Sequence, residues 1–167
     1  MRIKLIWLSS LSGFIICSDQ LTKMLVHTRF RLGESIPVIE DFFNITYVRN
    51  PGAAFGFLAG LTEDIRNAFF LSFPPLVILL VLWFLREAKE KDRLQIIGYS
   101  LIFSGAIGNY IDRLRFRYVI DFLDFHYKGQ WSWPAFNIAD SAIVCGIVLL
   151  GLDSLLEILR NRQKASV

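Results

Sequence analysis

Residues 67–85, NAFFLSFPPLVILLVLWFL, decide the fold class, because these 19 consecutive residues carry no charge. A membrane-spanning helix needs about 20 predominantly apolar residues. Three further stretches are similarly apolar, although the first of them contains Asp19 and Lys23. The sequence therefore predicts four transmembrane helices, at about 5–26, 67–86, 94–112 and 136–157.

The composition of the 167-residue chain also indicates a small integral membrane protein. Hydrophobic residues make up 54% of it, charged residues only 20%, and the mean hydropathy is +0.46. A disordered chain would be polar and poor in aromatic residues, and a soluble domain of this size cannot bury so much apolar surface. The net charge of +3 is typical of cytoplasmic lysine and arginine residues, so we expect no nucleic-acid partner.

The first apolar stretch has some features of a cleavable signal peptide, since Arg2 and Lys4 precede it and Cys17 lies within it. Ile16, before that cysteine, is too large for a cleavage site, so we predict a retained helix. Cys17 and Cys145 both fall in predicted spans, where core packing is the simplest interpretation and a disulfide is not expected.

Basic residues predict the orientation of the helices. They are densest around the N-terminus, in residues 86–93 and in the tail from Arg160, which indicates that these segments and both termini are cytoplasmic. Residues 27–66 and 113–135 then face outward.

The first outward segment has its own structural signals. Residues 42–48, FFNITYV, are typical of a strand, and residues 50–52, NPG, are a turn signal. Residues 53–58 are predicted to form a returning strand. Residues 62–64, TED, are predicted to cap a short helix or the start of the second span.

Most polar residues of the predicted spans lie at one depth, near the outer membrane surface. Ionisable residues within a membrane usually face a polar cavity or a protein partner, so this level is the predicted functional site. With a helical rise of about 1.5 Å per residue, the outer ends of the helices and the loop between them carry Asp19, Asn109, Asp112, Arg113, Asp121, Asn137 and Asp140.

Simpler interpretations of these residues stay open at this point. Asp19 and Lys23 are spaced to form an ion pair within one helix, and Arg113 can extend to lipid headgroups. Asp112 lies off the face shared by Asn109 and Arg113, which favours an interfacial position. Helix-end or surface roles are expected for Asp124, Asp153, Glu157, His27 and His126.

Asp121 and Asp140 are the candidates for chemistry. Two carboxylic acids in one site share a single proton, because both cannot ionise readily. One can then activate water as a base while the other protonates the leaving amine. The sequence has no cysteine–histidine cluster with zinc spacing, no glycine-rich phosphate loop and no serine–histidine signature, so we expect peptide hydrolysis without a metal or cofactor.

Five blocks of sequence carry a resemblance to a known family, and together they cover nearly the whole chain. They are DQLTK (19–23), RNPGAAFG (49–56), GAIGNYIDR (105–113), VIDF (119–122) and FNIAD (136–140). With these blocks the chain resembles lipoprotein signal peptidase, the signal peptidase II family of bacterial aspartic membrane proteases.

The resemblance implies a catalytic role for Asp121 and Asp140. It also implies that a second set of residues supports the site or binds substrate: Asp19, Asn50, Gly52, Asn109, Arg113 and Asn137. The implied fold is an all-α integral membrane protein, a single membrane-embedded peptidase domain over residues 1–167. Its four transmembrane helices would carry a small extracytoplasmic β-cradle and a short interfacial helix.

The implied substrate is a prolipoprotein with a diacylglyceryl-modified cysteine, cut just before that cysteine. The resemblance further implies a multi-pass monomer of the bacterial cytoplasmic (inner) membrane that contacts membrane lipids and is inhibited by globomycin. One position departs from the family, because Arg117 stands where the family usually has glycine. Glycine suits a tight turn, so the loop that carries Asp121 is expected to differ slightly.

Two other functions stay open from the residues alone. A small proton-coupled transporter or channel would need polar residues at several depths. A non-catalytic membrane assembly subunit would tolerate the loss of both aspartates. The clustering of the polar residues at one depth favours the enzyme.

Overall fold

Four long helices and a small antiparallel sheet make up the protein, which a computed structural model describes over residues 2–52 and 62–165. The helices are α1 (Arg2–Arg29), α2 (Glu63–Glu87), α3 (Arg93–Phe116) and α4 (Ile138–Ala165). The strands are β1 (Ser35–Ile39), β2 (Phe43–Asn50), β3 (Val119–Tyr127) and β4 (Trp131–Ser132). All four helices are long and apolar enough to cross a membrane, so the prediction of four transmembrane helices is confirmed.

The helices are mostly longer than the predicted spans, and two of the boundaries that differ have local reasons. Helix α3 continues to Phe116, into a segment predicted as loop, and ends where Arg117 adopts a left-handed conformation. Helix α4 begins only at Ile138, because Asn137 caps it. The Asn137 side-chain oxygen accepts from the Asp140 backbone N–H (2.9 Å), and an Asp140 oxygen accepts from the Asn137 N–H (3.3 Å). This reciprocal pair is a capping box, and it fixes Asp140 in the first turn.

Helix α3 lies at the centre of the bundle, since α1, α2 and α4 all pack against it. Glycines allow α3 and α4 to approach closely. A Cβ on Gly105 would overlap the Ala139 carbonyl oxygen, and a Cβ on Gly146 would lie 2.6 Å from the Gly98 carbonyl oxygen. This close contact brings the Asn109 turn of α3 against the first turn of α4.

The sheet has the strand order β1-β2-β3-β4, and each neighbouring pair is antiparallel. Strand β2 confirms the strand predicted over residues 42–48. Val26 of α1 packs with Tyr47, Ile120 and Phe122 in a core that joins the sheet to the helices. This core fixes β3, and with it Asp121, against the ends of α1 and α3.

Two further predictions concern the first outward segment. The returning strand over residues 53–58 lies outside the described residues. For residues 62–64, the start of the second span is confirmed, because Thr62 directly precedes α2 and no separate short helix occurs in 2–52 or 62–165.

Arg117 adopts φ +67° and ends α3, so the turn has the left-handed backbone that glycine favours. For a residue with a Cβ this conformation costs about 1–2 kcal/mol, and glycine loses part of the benefit through its freer unfolded chain. We therefore expect Arg117→Gly to stabilise the protein by about 0.5–1 kcal/mol. Thermal unfolding in detergent measures the effect. Arg117→Ala, which keeps the Cβ, should unfold close to the wild type, and an equal rise in both variants would contradict the explanation.

Candidate active site

Asp121 is buried in β3, with 1% of its surface exposed, and both of its carboxylate oxygens accept hydrogen bonds. The Asn137 amide donates to one oxygen at 2.7 Å, and the Asn50 amide donates to the other at 2.9 Å. Asn50 ends β2, and its own side-chain oxygen accepts from the Gly52 N–H at 2.8 Å. The turn predicted at residues 50–52 thus supports the Asp121 carboxylate directly.

Burial raises the pKa of Asp121 to about 7, and the negative charge of Asp140 adds to this effect. The hydrogen bonds from Asn50 and Asn137 act in the opposite direction but do not cancel it. The Asp121 carboxyl can therefore hold a proton near neutral pH, as a shared-proton pair of aspartates requires.

Asp140 accepts from a third side-chain amide, that of Asn109. The Asn109 Nδ2 donates to it at 2.7 Å. Asn137 Nδ2 also donates to the Asn109 oxygen, at 3.1 Å. A continuous chain of side-chain hydrogen bonds therefore links Asp121, Asn137, Asn109 and Asp140 across β3, α4 and α3.

A buried ion cluster, centred on Lys23, adjoins this series of hydrogen-bonded side chains at Asn109. The ammonium contacts Asp19 at 2.9 Å and Asp112 at 3.0 Å, and it donates to the Asn109 oxygen at 2.8 Å. Lys23 and Asp112 are each 1% exposed, and Asp19 is fully buried. The predicted Asp19–Lys23 pair is confirmed, but it belongs to a cluster that spans α1 and α3.

The prediction that Asp112 lies at the interface is wrong. Its carboxylate is buried and also accepts from the Ile120 backbone N–H at 3.1 Å and from the Gln20 amide at 3.0 Å. Because α3 packs against three other helices, a residue off the Asn109–Arg113 face still lies inside the protein.

A largely apolar cavity of about 620 Å³ lies in front of the two aspartates. Asp121 and Asp140 both line it, together with Asn50, Gly52 and Arg113 from the predicted set. Its apolar wall includes Trp133, Val144 and Cys145. The prediction that the two cysteines fill the core is wrong, because Cys17 on α1 and Cys145 on α4 are both exposed, and Cys145 lies at the edge of this cavity.

The remaining predicted site residues do not line the cavity; they are Asp19, Asn109 and Asn137. Asn109 shares a helix face with Arg113, but its hydrogen bonds join it to Asp140, Lys23 and Asn137. The Arg113 guanidinium instead lies over the Phe70 ring, 4.9 Å from its centroid.

Two residues of the site, Gln20 and Phe70, were not predicted. Lys23 was predicted only as the ion-pair partner of Asp19, and Asp112 was predicted to lie at the interface. Gln20, Lys23 and Asp112 lie inside the quoted sequence blocks. The available signal for Gln20 and Lys23 was their position beside Asp19 in the first apolar stretch, whereas Asp112 ends the third. Phe70 had no such signal, because it is one of several phenylalanines in the second span.

Comparisons with known proteins identify the family of this site. Residues 11–156 match the family model described as signal peptidase (SPase) II. The chain belongs to the signal peptidase II family. It is therefore a membrane peptidase of the aspartic class, and neither the transporter nor the assembly subunit is favoured.

Individual members of the signal peptidase II family agree closely with this chain. It is 50% identical over 145 residues to lipoprotein signal peptidase of Desulforapulum autotrophicum, covering 87% of this chain and 89% of that protein. It is 49% identical over 142 residues to lipoprotein signal peptidase of Syntrophus aciditrophicus, covering 85% and 88%. A solved bacterial membrane enzyme, 33% identical, superposes with a TM-score of 0.78 over 96% of this chain and 92% of its own.

Proposed function

We propose that this protein removes the signal peptide from diacylglyceryl-modified prolipoproteins, cutting just before the lipid-modified cysteine, with Asp121 and Asp140 as the catalytic residues. The observation that carries the proposal is that these two carboxylates, from β3 and α4, line one largely apolar cavity. The names of the relatives support the substrate class.

In the proposed reaction one aspartate is protonated and the other is ionised. The ionised carboxylate takes a proton from water as the water oxygen attacks the scissile carbonyl, and the protonated carboxyl polarises that carbonyl. When the C–N bond breaks, a proton passes from the pair to the leaving amine, and one shared proton remains.

The cavity suits a substrate that stays in the lipid. Val144 and Cys145 are exposed on α4 and also line the cavity, so an apolar segment can reach the aspartates from the side of the bundle. The distribution of basic residues supports cytoplasmic termini. On that orientation the aspartates lie near the outer face of the bacterial inner membrane, where the signal peptide ends.

The experiment uses the purified protein in detergent with a prolipoprotein that carries diacylglycerol on its cysteine. We expect release of the intact signal peptide, identified by mass spectrometry, and loss of release with globomycin. The same precursor without the lipid is the matched control and should be cut much more slowly. Absence of cleavage of the lipid-modified precursor would overturn the proposal.

Chelation separates an aspartic mechanism from a metal-dependent one. We expect cleavage to continue at an unchanged rate after dialysis against EDTA, because the two carboxylates and a water molecule suffice for the proposed proton transfers. Carboxylate and amide oxygens can also bind Mg²⁺, so the test is a real one. Loss of activity with EDTA and its recovery with Mg²⁺ would contradict the mechanism.

Arg113→Lys tests whether the guanidinium acts in the site. Arginine donates in a planar fork, whereas lysine is a point charge, so a cavity residue should not tolerate the change. We expect turnover to fall at least about tenfold, the loss of roughly one charge-assisted hydrogen bond, with an unchanged unfolding temperature. Arg115→Lys, on the exposed side of the same helix, is the matched control. Near-normal turnover of both variants would mean that Arg113 merely extends to headgroups.

A further inference from the structure

We propose that Phe70 is a positioning residue, which keeps the Arg113 guanidinium inside the catalytic cavity. The proposal rests on the proposed function, because Arg113 is taken to act on the aspartates or the substrate there. Phe70 is half-buried in α2 and lines the same cavity as Asp121 and Asp140.

Arg113 lies at a point where its side chain has two possible environments. It is in the last turn of α3, and a long cationic side chain at the end of a membrane helix ordinarily extends towards lipid headgroups. In this protein it turns inward, and its guanidinium carbon lies 4.9 Å from the Phe70 ring centroid. An aromatic face within about 6 Å attracts a cation, and more strongly when water is excluded.

The Phe70 ring is itself held in place by the turn that follows β2. Gly52 has φ +99°, and the ring occupies the space in which a Cβ on Gly52 would lie. The ring therefore packs between the backbone of this turn and Arg113. A glycine at position 52 is needed both for its backbone conformation and for the space that the ring takes.

Besides its contact with Arg113, Phe70 is connected to Asp121 through this turn. The Gly52 N–H donates to the Asn50 side-chain oxygen, and the Asn50 amide donates to Asp121. Among the described residues that line the cavity, Phe70 is the contribution of α2. An aromatic side chain thus couples α2 to the arginine and to the support of one aspartate.

Two substitutions distinguish the effect of the aromatic face of Phe70 from the effect of its apolar volume. Phe70→Leu removes the π face, and Phe70→Tyr keeps it. We expect kcat to fall about five- to thirtyfold in Phe70→Leu, as for loss of a desolvated cation–π contact, and to stay within about threefold in Phe70→Tyr. Phe73→Leu, at a lipid-exposed position one turn further along α2, is the control and should match the wild type.

A double-mutant cycle tests whether Phe70 acts through Arg113. In the Arg113→Met background, which has no cation at this position, Phe70→Leu should cost less than about twofold, because the contact is already absent. Equal losses in both backgrounds, or a Phe70→Tyr variant as slow as Phe70→Leu, would overturn the proposal. All variants are compared by kcat, KM and unfolding temperature, since a merely structural role would lower the last of these.

A chemical readout tests the proposal without reference to cleavage. Butane-2,3-dione modifies exposed guanidinium groups, and peptide mapping by mass spectrometry gives the extent at each arginine. We expect Arg113 to react several-fold faster in Phe70→Leu than in the wild type, with Arg115 unchanged as the internal control. Equal rates at Arg113 would overturn the positioning role even if the proposed substrate were wrong.

Discussion

Asparagine in place of either Asp121 or Asp140 is expected to abolish cleavage. Neither carboxylate can act alone in a shared-proton mechanism, because one must accept a proton while the other holds one. Loss of this acid–base function lowers the rate by about 10²–10⁴-fold. The measurement is release of the signal peptide from the lipid-modified precursor, followed over long incubation so that small residual rates are seen.

Both variants should still fold, because asparagine has the shape of aspartate. At position 121 its NH₂ group meets the Asn50 or Asn137 donor, and the mismatch costs about 1–3 kcal/mol. At position 140 the helix loses a negative charge in its first turn, worth about 0.3–1 kcal/mol. Folding is checked by the unfolding temperature in detergent.

Asp124→Asn is the matched control for the strand. Asp124 lies on β3 three residues after Asp121, hence on the opposite face of the strand, where it accepts from the Thr46 hydroxyl at 3.1 Å. We expect near-normal cleavage from this variant. If Asp121→Asn or Asp140→Asn kept more than a small fraction of wild-type turnover at normal stability, that aspartate would lose its catalytic assignment.

The helices were predictable because the membrane imposes them. A chain segment in hydrocarbon must satisfy its backbone polar groups internally, so hydropathy and length were enough to identify α1 to α4. The sheet was harder to predict from the sequence. Strand β2 has a strong local signal, but its pairing with β3 joins distant segments, as when Asp121 pairs with Val48. Strands β1 and β4 are short and pair with their neighbours in sequence.

The sequence was enough to select residues that line one cavity, Asp121 and Asp140 among them, but not to predict the contacts between the polar side chains. Residues that must be charged within an apolar span stand out one by one, as Asp19 and Asp140 do. Their contacts do not, because Lys23 and Asn109 are 86 residues apart in the chain. The position of Asp112 was predicted wrongly for the same reason. Residue spacing shows which face of α3 a side chain lies on, but not how many other helices pack against α3.

Lys23→Met is expected to lower stability more than any single change on the surface of the protein. Methionine fits the space, but Asp19 and Asp112 would lose their cation while still buried. Removing one partner of a buried ion pair costs about 3–5 kcal/mol. The unfolding temperature in detergent measures the loss. Lys128→Met, in the exposed turn between β3 and β4, is the control and should unfold like the wild type.

Lys23→Met should also abolish cleavage, for a reason that is separate from the loss of stability. The ammonium donates to the Asn109 oxygen, so the NH₂ group of that amide must face Asp140. Without Lys23 this oxygen keeps only the donor on Asn137, so the amide is held less firmly. The donor to Asp140 is then no longer fixed in place, and the geometry of the aspartate pair would fail.

A compensated double variant separates these two effects of Lys23. Lys23→Met with Asp112→Asn removes one uncompensated charge together with the cation, so it should recover part of the lost stability. It restores no donor to the Asn109 oxygen, and it should therefore stay inactive. Recovery of cleavage along with stability would show that Lys23 serves the fold alone. Recovery of stability without cleavage would assign the ammonium to the orientation of Asn109, and through it to Asp140.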